Sequence, residues 1–526
     1  MDPTEAPALS SLPESLFTHP KSSQVCWRPH SWYVAEIAVV DQQNEVPHLS
    51  GMESQLGQGL KPRHVTMLSI AGAIGAGLFV GSATAIKLAG PAVLVAYVCA
   101  ALLVVLVMRM LGEMATANPD SGSFSTYADR AIGHWAGFSI GWLYWWFWVL
   151  VIPVEATAAA SILNSWVPGV PLWVFALLVT IALTATNLFS VKNYGEFEYW
   201  FALLKVAAII LFIAVGAMAF TGVFGSEHAG ASNLWSQGGF APNGLGAIPA
   251  ALLTTMFSFM GTEIVTIAAS ESNNPAGQIR KATNSVIWRL GLFYIVSIFF
   301  IVCIVPLSYP GLLEEGSFLA ALNVLNIPGA KFIVDLVILV AVASCMNSAL
   351  YTASRMMYSL AGRGDAPKIF ARTSKANVPV AAVLISTLIG FAAVVGNYLM
   401  PDKLFTMLLA TSGAVALLVY LCIAVTQLIT RRRVGDRRQG LVKMWGYPYL
   451  TWAVIIFIPA VLIYMAVWSD MKVELYSTAV LTVIVVAIGV YVGRKHKVTT
   501  FTQAQAELHL PGADESEGKD KVLDRD

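Results

Sequence analysis

Charge is what this chain has least of. Only 12% of its 526 residues are Asp, Glu, Lys or Arg, where a soluble domain carries about a quarter. With 57% hydrophobic residues and a net charge of +1, the composition excludes an ordinary soluble globule. It also leaves no basic face for nucleic acid. Cysteine is sparse and scattered. Cys26, Cys99, Cys303, Cys345 and Cys422 give neither a disulfide framework nor zinc spacing. The histidines all fall outside the long apolar runs, so no metal site is expected at membrane depth. No nucleophile–base pair appears there either, so neither an enzyme nor a bound cofactor is expected. No apolar segment follows a basic start at the N-terminus, which argues against a signal peptide. Residues 1–51 are polar and aperiodic and are read as a disordered extension, with Met52 as an alternative start opening a cytoplasmic lead over 52–64.

What is abundant is long hydrophobic runs. Crossing a bilayer takes about 20 apolar residues. Twelve runs qualify, at 65–85, 92–112, 137–163, 172–190, 199–222, 245–270, 287–306, 332–362, 380–397, 404–429, 449–468 and 475–493. The expected architecture is an all-α polytopic membrane protein in contact with the lipid bilayer. Its charged tail, 494–526, is expected to be mobile. Lys and Arg near the span ends crowd onto one side, leaving Lys87, Lys331, Lys403 and Lys472 on the other. By the positive-inside rule both termini are cytoplasmic.

The first run, L-S-I-A-G-A-I-G-A-G-L-F-V-G over 68–81, is a poor continuous helix. Each of its glycines costs about 1 kcal/mol against alanine. A broken helix at membrane depth is tolerated where its freed N–H and C=O groups meet protein or line a cavity, and the N-terminus of a half-helix offers amides and a positive dipole end to an anion. Close helix packing is the competing explanation. The sixth run carries its own interruption, F-S-F-M-G-T-E over 257–263. The third and eighth are both unusually long. Oddities repeated five spans apart are what an inverted five-plus-five repeat produces, with the binding site at the midplane between the halves. The repeats would occupy 65–222 and 245–430, leaving the spans of 447–493 outside.

Charges inside a membrane cost about 2.5–3.5 kcal/mol each on insertion scales, so each needs a reason. Glu155, Lys205 and Glu263 sit deep in spans three, five and six and are candidates for function, against the alternative of a buried network that positions helices. Burial tunes such groups to exchange protons nearer neutrality. Asp335 and Arg355, near the ends of span eight, are expected to snorkel to the interface. The stretches 122–129 and 190–198 read as polar interfacial loops, and the aromatic run 142–148 mostly as an interfacial belt.

Together G-A-I-G-A-G-L-F, G-S-F-S-T-Y-A-D and M-F-S-F-M-G-T-E resemble the amino acid–polyamine–organocation transporters. S-V-K-N-Y-G-E-F-E and N-S-A-L-Y-T-A-S-R-M narrow the likeness to the bacterial amino acid permeases. The likeness runs from about residue 59 to 468. W-L-Y-W-W-F-W-V-L-V-I-P is nearest to the branch that carries 4-aminobutyrate (GABA). The resemblance implies a LeuT-like fold with spans one and six broken and two extra C-terminal helices. It implies proton-coupled import of a small zwitterion, GABA or a related amino acid, across a bacterial inner membrane by a monomer or weak oligomer. Gly75, Ala76 and Gly77 would present amides to the substrate carboxylate. Phe257 would be an aromatic gate, with Ser258 and Gly261 lining the pocket. Glu155 would also belong to the substrate site. Glu263 and Lys205 would couple protons, the lysine reaching span-one carbonyls and the 344–348 region of span eight. The alternatives are a permease for proline, an aromatic or a branched amino acid, an amino acid exchanger, and a nutrient sensor.

Overall fold

The computed structural model describes residues 62–188, 191–224, 230–270, 272, 274–399, 404–434, 441–468 and 472–508. The extension 1–51, nearly all of the lead 52–64 and the tail beyond 508 lie outside the described residues. Nine helical stretches among the described residues are long and apolar enough to span a membrane, and two shorter apolar helices, Leu172–Asn187 and Val380–Gly396, accompany them. In hydrocarbon the helix satisfies every backbone group within one segment, which is why apolar runs of this length adopt it.

The described residues open with α1 (Pro62–Ala71), and the helix restarts after a gap in a π-helical turn (Gly77–Gly81) that continues into α2 (Ser82–Ala89). Next come α3 (Val93–Ala117), the short α4 (Ser123–Ala131), α5 (His134–Trp166), α6 (Leu172–Asn187) and α7 (Val191–Phe220). The second interrupted stretch is α8 (Ala247–Phe259) and α9 (Ile264–Ser270). Then follow α10 (Pro275–Leu290), α11 (Ser297–Ile304), the short α12 (Leu312–Glu315) and α13 (Ser317–Val324), α14 (Ala330–Gly362), α15 (Val380–Leu399), α16 (Leu404–Val434), α17 (Tyr449–Trp468) and α18 (Lys472–Leu508).

The two 33-residue helices, α5 and α14, lie along each other and form the longest contact in the chain. Within the surrounding helices sit the four half-helices. The half α1 packs on α9 and on α7, while α2 packs on α8, so the two broken stretches run past each other in opposite directions. Their gaps meet. Gly261 has φ +111°, and a Cβ on it would fall 2.5 Å from the backbone carbonyl of Gly72.

Several sequence expectations are corrected here. The break in the first span, 65–85, is not among them: two half-helices stand there as expected, because the glycines at 72, 75 and 77 leave the backbone free to part. Most of the supposed loop 190–198 is the first turns of α7, and 123–129 is helical as α4. Residues 142–148 are core rather than belt. Tyr144, Trp145, Phe147 and Trp148 are buried, with Tyr144 edge-on to Phe124 at 4.7 Å. Arg355 does not snorkel; it is buried with its guanidinium 4.1 Å over the Tyr351 ring. Asp335 is buried too, accepting from Trp166 Nε1 at 3.1 Å. The last helix continues to Leu508, beyond the end of the expected span at 493.

Because Gly261 combines a positive φ with a backbone neighbour that cannot yield, Gly261→Ala should destabilise the protein by about 1–3 kcal/mol from strain alone. A lowered melting temperature and little uptake by the purified protein are expected; a variant that melts like the native chain refutes the requirement.

Candidate functional site

Between α1 and the π turn, three successive carbonyls lose their helical partners, and each receives a donor from a different helix. Cys345 Sγ on α14 donates to Gly72 O at 3.3 Å, Tyr294 Oη to Ala73 O at 2.8 Å, and Lys205 Nζ on α7 to Ile74 O at 2.8 Å. The Tyr294 hydroxyl also lies 2.8 Å from Ser258 O at the end of α8, so one phenol bridges both breaks. On the far side of the gap the Ala76 amide donates to both carboxylate oxygens of Glu155, at 3.2 and 3.0 Å.

The second break repeats the device. Met260 turns extended, and the Gly261 amide donates to both oxygens of Glu263 at 3.1 and 3.0 Å. Tyr144 Oη donates to the same carboxylate at 3.0 Å. Glu155, Lys205 and Glu263 have no solvent exposure. Charged groups so far from water persist only where hydrogen bonds replace their hydration.

A small cavity of about 10 Å³ lies between the breaks, bounded by Gly72, Gly75, Gly77, Phe257, Ser258, Glu155 and Trp148. That is room for roughly one water, so an amino acid enters only if the aromatic walls move. Phe257 forms one of those walls. It is buried against Phe147 with ring centroids 6.1 Å apart.

Of the residues chosen from the sequence, Gly75, Gly77, Phe257, Ser258 and Glu155 line this cavity. Ala76, Gly261, Lys205 and Glu263 stand behind it. The Ala76 amide faces Glu155, so Glu155 takes the position expected for a substrate carboxylate. Gly261 abuts Gly72 because its missing side chain lets the two backbones touch. Lys205 reaches a carbonyl of the first break, as the resemblance implies, but two donors of the 344–348 region go elsewhere. Ser344 Oγ at 2.5 Å and Asn347 Nδ2 at 2.7 Å donate to Glu198.

Glu198 is wholly buried, and reading its segment as a loop hid it. It precedes Lys205 by seven residues, two helical turns on one face, and that spacing was the available signal. Cys345 and Tyr294 carried no signal, since their partners in the first break are backbone atoms more than two hundred residues away.

An apolar helical bundle with two facing backbone breaks is an arrangement that membrane transporters use. The amino acid permease family model matches residues 64–503, and the chain belongs to that family. It is 63% identical over 445 residues to a probable GABA permease of Pseudomonas aeruginosa, covering 84% of this chain and 94% of the relative. It is 58% identical to the gamma-aminobutyric acid permease of Escherichia coli, covering 82% and 94%. The gamma-aminobutyric acid permease of Bacillus subtilis is 50% identical, covering 85% and 96%.

A Cβ on Gly77 would fall 2.7 Å from Ser258 Oγ and 2.8 Å from Phe257 Cδ1. Gly77→Val should abolish uptake while the protein still reaches the membrane; near-normal uptake would reduce Gly77 to a packing residue. Tyr294→Phe removes the donor shared by Ala73 O and Ser258 O, and should cost about 1–3 kcal/mol of thermal stability. An unchanged melting curve would count against the bridge.

Proposed function

We propose that this chain is a secondary transporter that imports GABA and related zwitterions with a proton across a bacterial cytoplasmic membrane, by alternating access. The observation that carries the reading is the pair of facing breaks, whose freed backbone groups are held by one lysine and two carboxylates able to change protonation state. The GABA permeases related to this chain at 63%, 58% and 50% identity support GABA as the cargo. In this reading the nine long apolar stretches, the two shorter ones and the split first span make up twelve crossings. Residues 65–222 and 245–430 are the two inverted repeats of a LeuT-like bundle, 447–493 lie outside them, and both termini are cytoplasmic.

The chemistry follows from the contacts. The Ala76 amide is the donor a substrate carboxylate would take, and Glu155 already holds it, so binding is an exchange of one carboxylate for another. A proton on Glu155 removes its charge and weakens its claim on that amide. Lys205 pulls on Ile74 O, so its charge state sets how firmly α1 is tied to α7. Loss of the proton leaves a neutral amine, a weaker donor, and frees α1 to tilt. Glu263 braces Gly261 in the same way on the other break. The three methylenes of GABA put its amine further from the amides than an α-amino group would reach.

Lys205→Arg keeps a cation that no working pH neutralises. It should abolish GABA-driven proton entry into proteoliposomes, and Lys205→Ala should end accumulation against a gradient while some binding survives. Proton entry with GABA in the arginine variant would transfer the coupling role to Glu155 or Glu263. Failure of the wild type to take up GABA while it takes up another amino acid would overturn the cargo.

A further inference from the structure

A second, larger cavity of about 320 Å³ lies along the same helices as the inner one. Val151 and Glu155 of α5, Cys345 of α14 and Gly77 line the inner cavity; Thr157 and Ser161 of α5, Asp335 of α14 and Val80 line the outer one. Each outer residue lies within about three turns of its inner counterpart, so the two spaces lie along the same helices.

Asp335 is the feature that needs a partner. The residue is 6% exposed, and Oδ2 accepts from Trp166 Nε1 at 3.1 Å. Among the described residues no donor meets Oδ1. A carboxylate removed from water to this degree is costly unless a cation or further donors compensate it. The neighbouring Glu315 is already engaged, accepting from the Tyr309 hydroxyl at 3.1 Å and the Asn323 amide at 2.9 Å. Lys331, one turn before Asp335 on α14, also lines the cavity and forms no ion pair among the described residues.

We propose that the outer cavity is a separate binding site for a small zwitterionic amino acid, whose ammonium group docks on Asp335 and whose carboxylate faces Lys331. The carboxylates of Glu314, Glu315 and Asp335 outnumber the single lysine in the wall, which disfavours a simple anion. A metal ion is disfavoured because no cluster of three or more His, Cys, Asp or Glu among the described residues could hold one. An apolar guest would leave the buried carboxylate unpaired. Asp335 and Lys331 are neighbours across one helical turn, about 5–6 Å between Cβ atoms, a separation that a chain of three methylenes can bridge. The site would collect the cargo before it reaches the breaks. Its identity as GABA rests on the transport reading above, whereas the demand for an amine does not.

The test is binding of labelled GABA to the full-length protein in detergent, together with uptake kinetics in proteoliposomes. Gly77→Val crowds only the inner cavity, so part of the binding should persist in it and vanish in the double variant with Asp335→Asn. Asp335→Asn alone keeps an oxygen for Trp166. It should raise the half-saturating concentration for uptake about tenfold, the value of one charge-assisted hydrogen bond, with the maximal rate nearly unchanged. n-Butylamine should compete for binding to Gly77→Val, and butyrate should not. Loss of all binding in Gly77→Val, or an unchanged half-saturation in Asp335→Asn, overturns the outer site. If the protein binds butylamine at Asp335 but not GABA, the outer site stands and the GABA reading falls; if it binds neither, both fall.

Discussion

Everything near the centre of this protein depends on finding partners for a few backbone groups that two helices release at membrane depth. Lipid offers no hydrogen bond, and each group left alone costs several kcal/mol. The solution is local at the Gly261 amide alone; the Ala76 amide and the carbonyls are answered from distant parts of the chain. Glu155 and Glu263 cover the amides of Ala76 and Gly261. Cys345, Tyr294 and Lys205 cover the carbonyls of 72, 73 and 74 from three other segments. The breaks are therefore sewn into the bundle by side chains, and any movement of a half-helix must exchange these bonds rather than simply lose them. That requirement makes the movement discrete.

The positions of the breaks and of the deep charges could be read from the chain, because both are violations of a strong rule. Glycine in an apolar helix and ionised side chains in hydrocarbon have no cheap explanation, so Gly75, Gly77, Glu155, Lys205 and Glu263 stood out. What could not be read was who answers them. A tyrosine hydroxyl or a thiol facing a carbonyl across the fold leaves no local pattern. Glu198 was missed for the opposite reason. Its segment is polar enough to pass as a loop, and only burial beneath Ser344 and Asn347 reveals it as interior. Asp335 and Arg355 were misjudged because end-placed charges usually reach water; here a tryptophan and a tyrosine ring cover them.

Some of the basic residues near the span ends also do structural work. The Arg109 guanidinium lies 4.2 Å over Trp445, and that of Arg431 lies 4.2 Å over Tyr447 while donating to Glu113 at 3.2 Å. The Glu113 carboxylate takes the Met444 amide as well, at 2.7 Å. These contacts tie α3, α16 and the stretch before α17 together at one end of the bundle. A count of loop charges sees only their sign. Their geometry shows that the same arginines hold three segments in register.

The carboxylate of Glu155 on the Ala76 amide bears on the return half of a carrier's cycle. A carrier whose amide can be satisfied only by cargo meets an unpaired donor in a dry interior whenever it crosses without a load, and the barrier confines it to one-for-one swapping. Here the chain supplies its own carboxyl oxygens for that amide. Under the proposed alternating-access cycle, the unloaded crossing meets no orphan hydrogen-bond donor at this position, and the energetic bias toward obligatory exchange is absent there. One glutamate thus bears on whether the direction of net flow is set by the gradients across the membrane or by the contents of the opposite compartment.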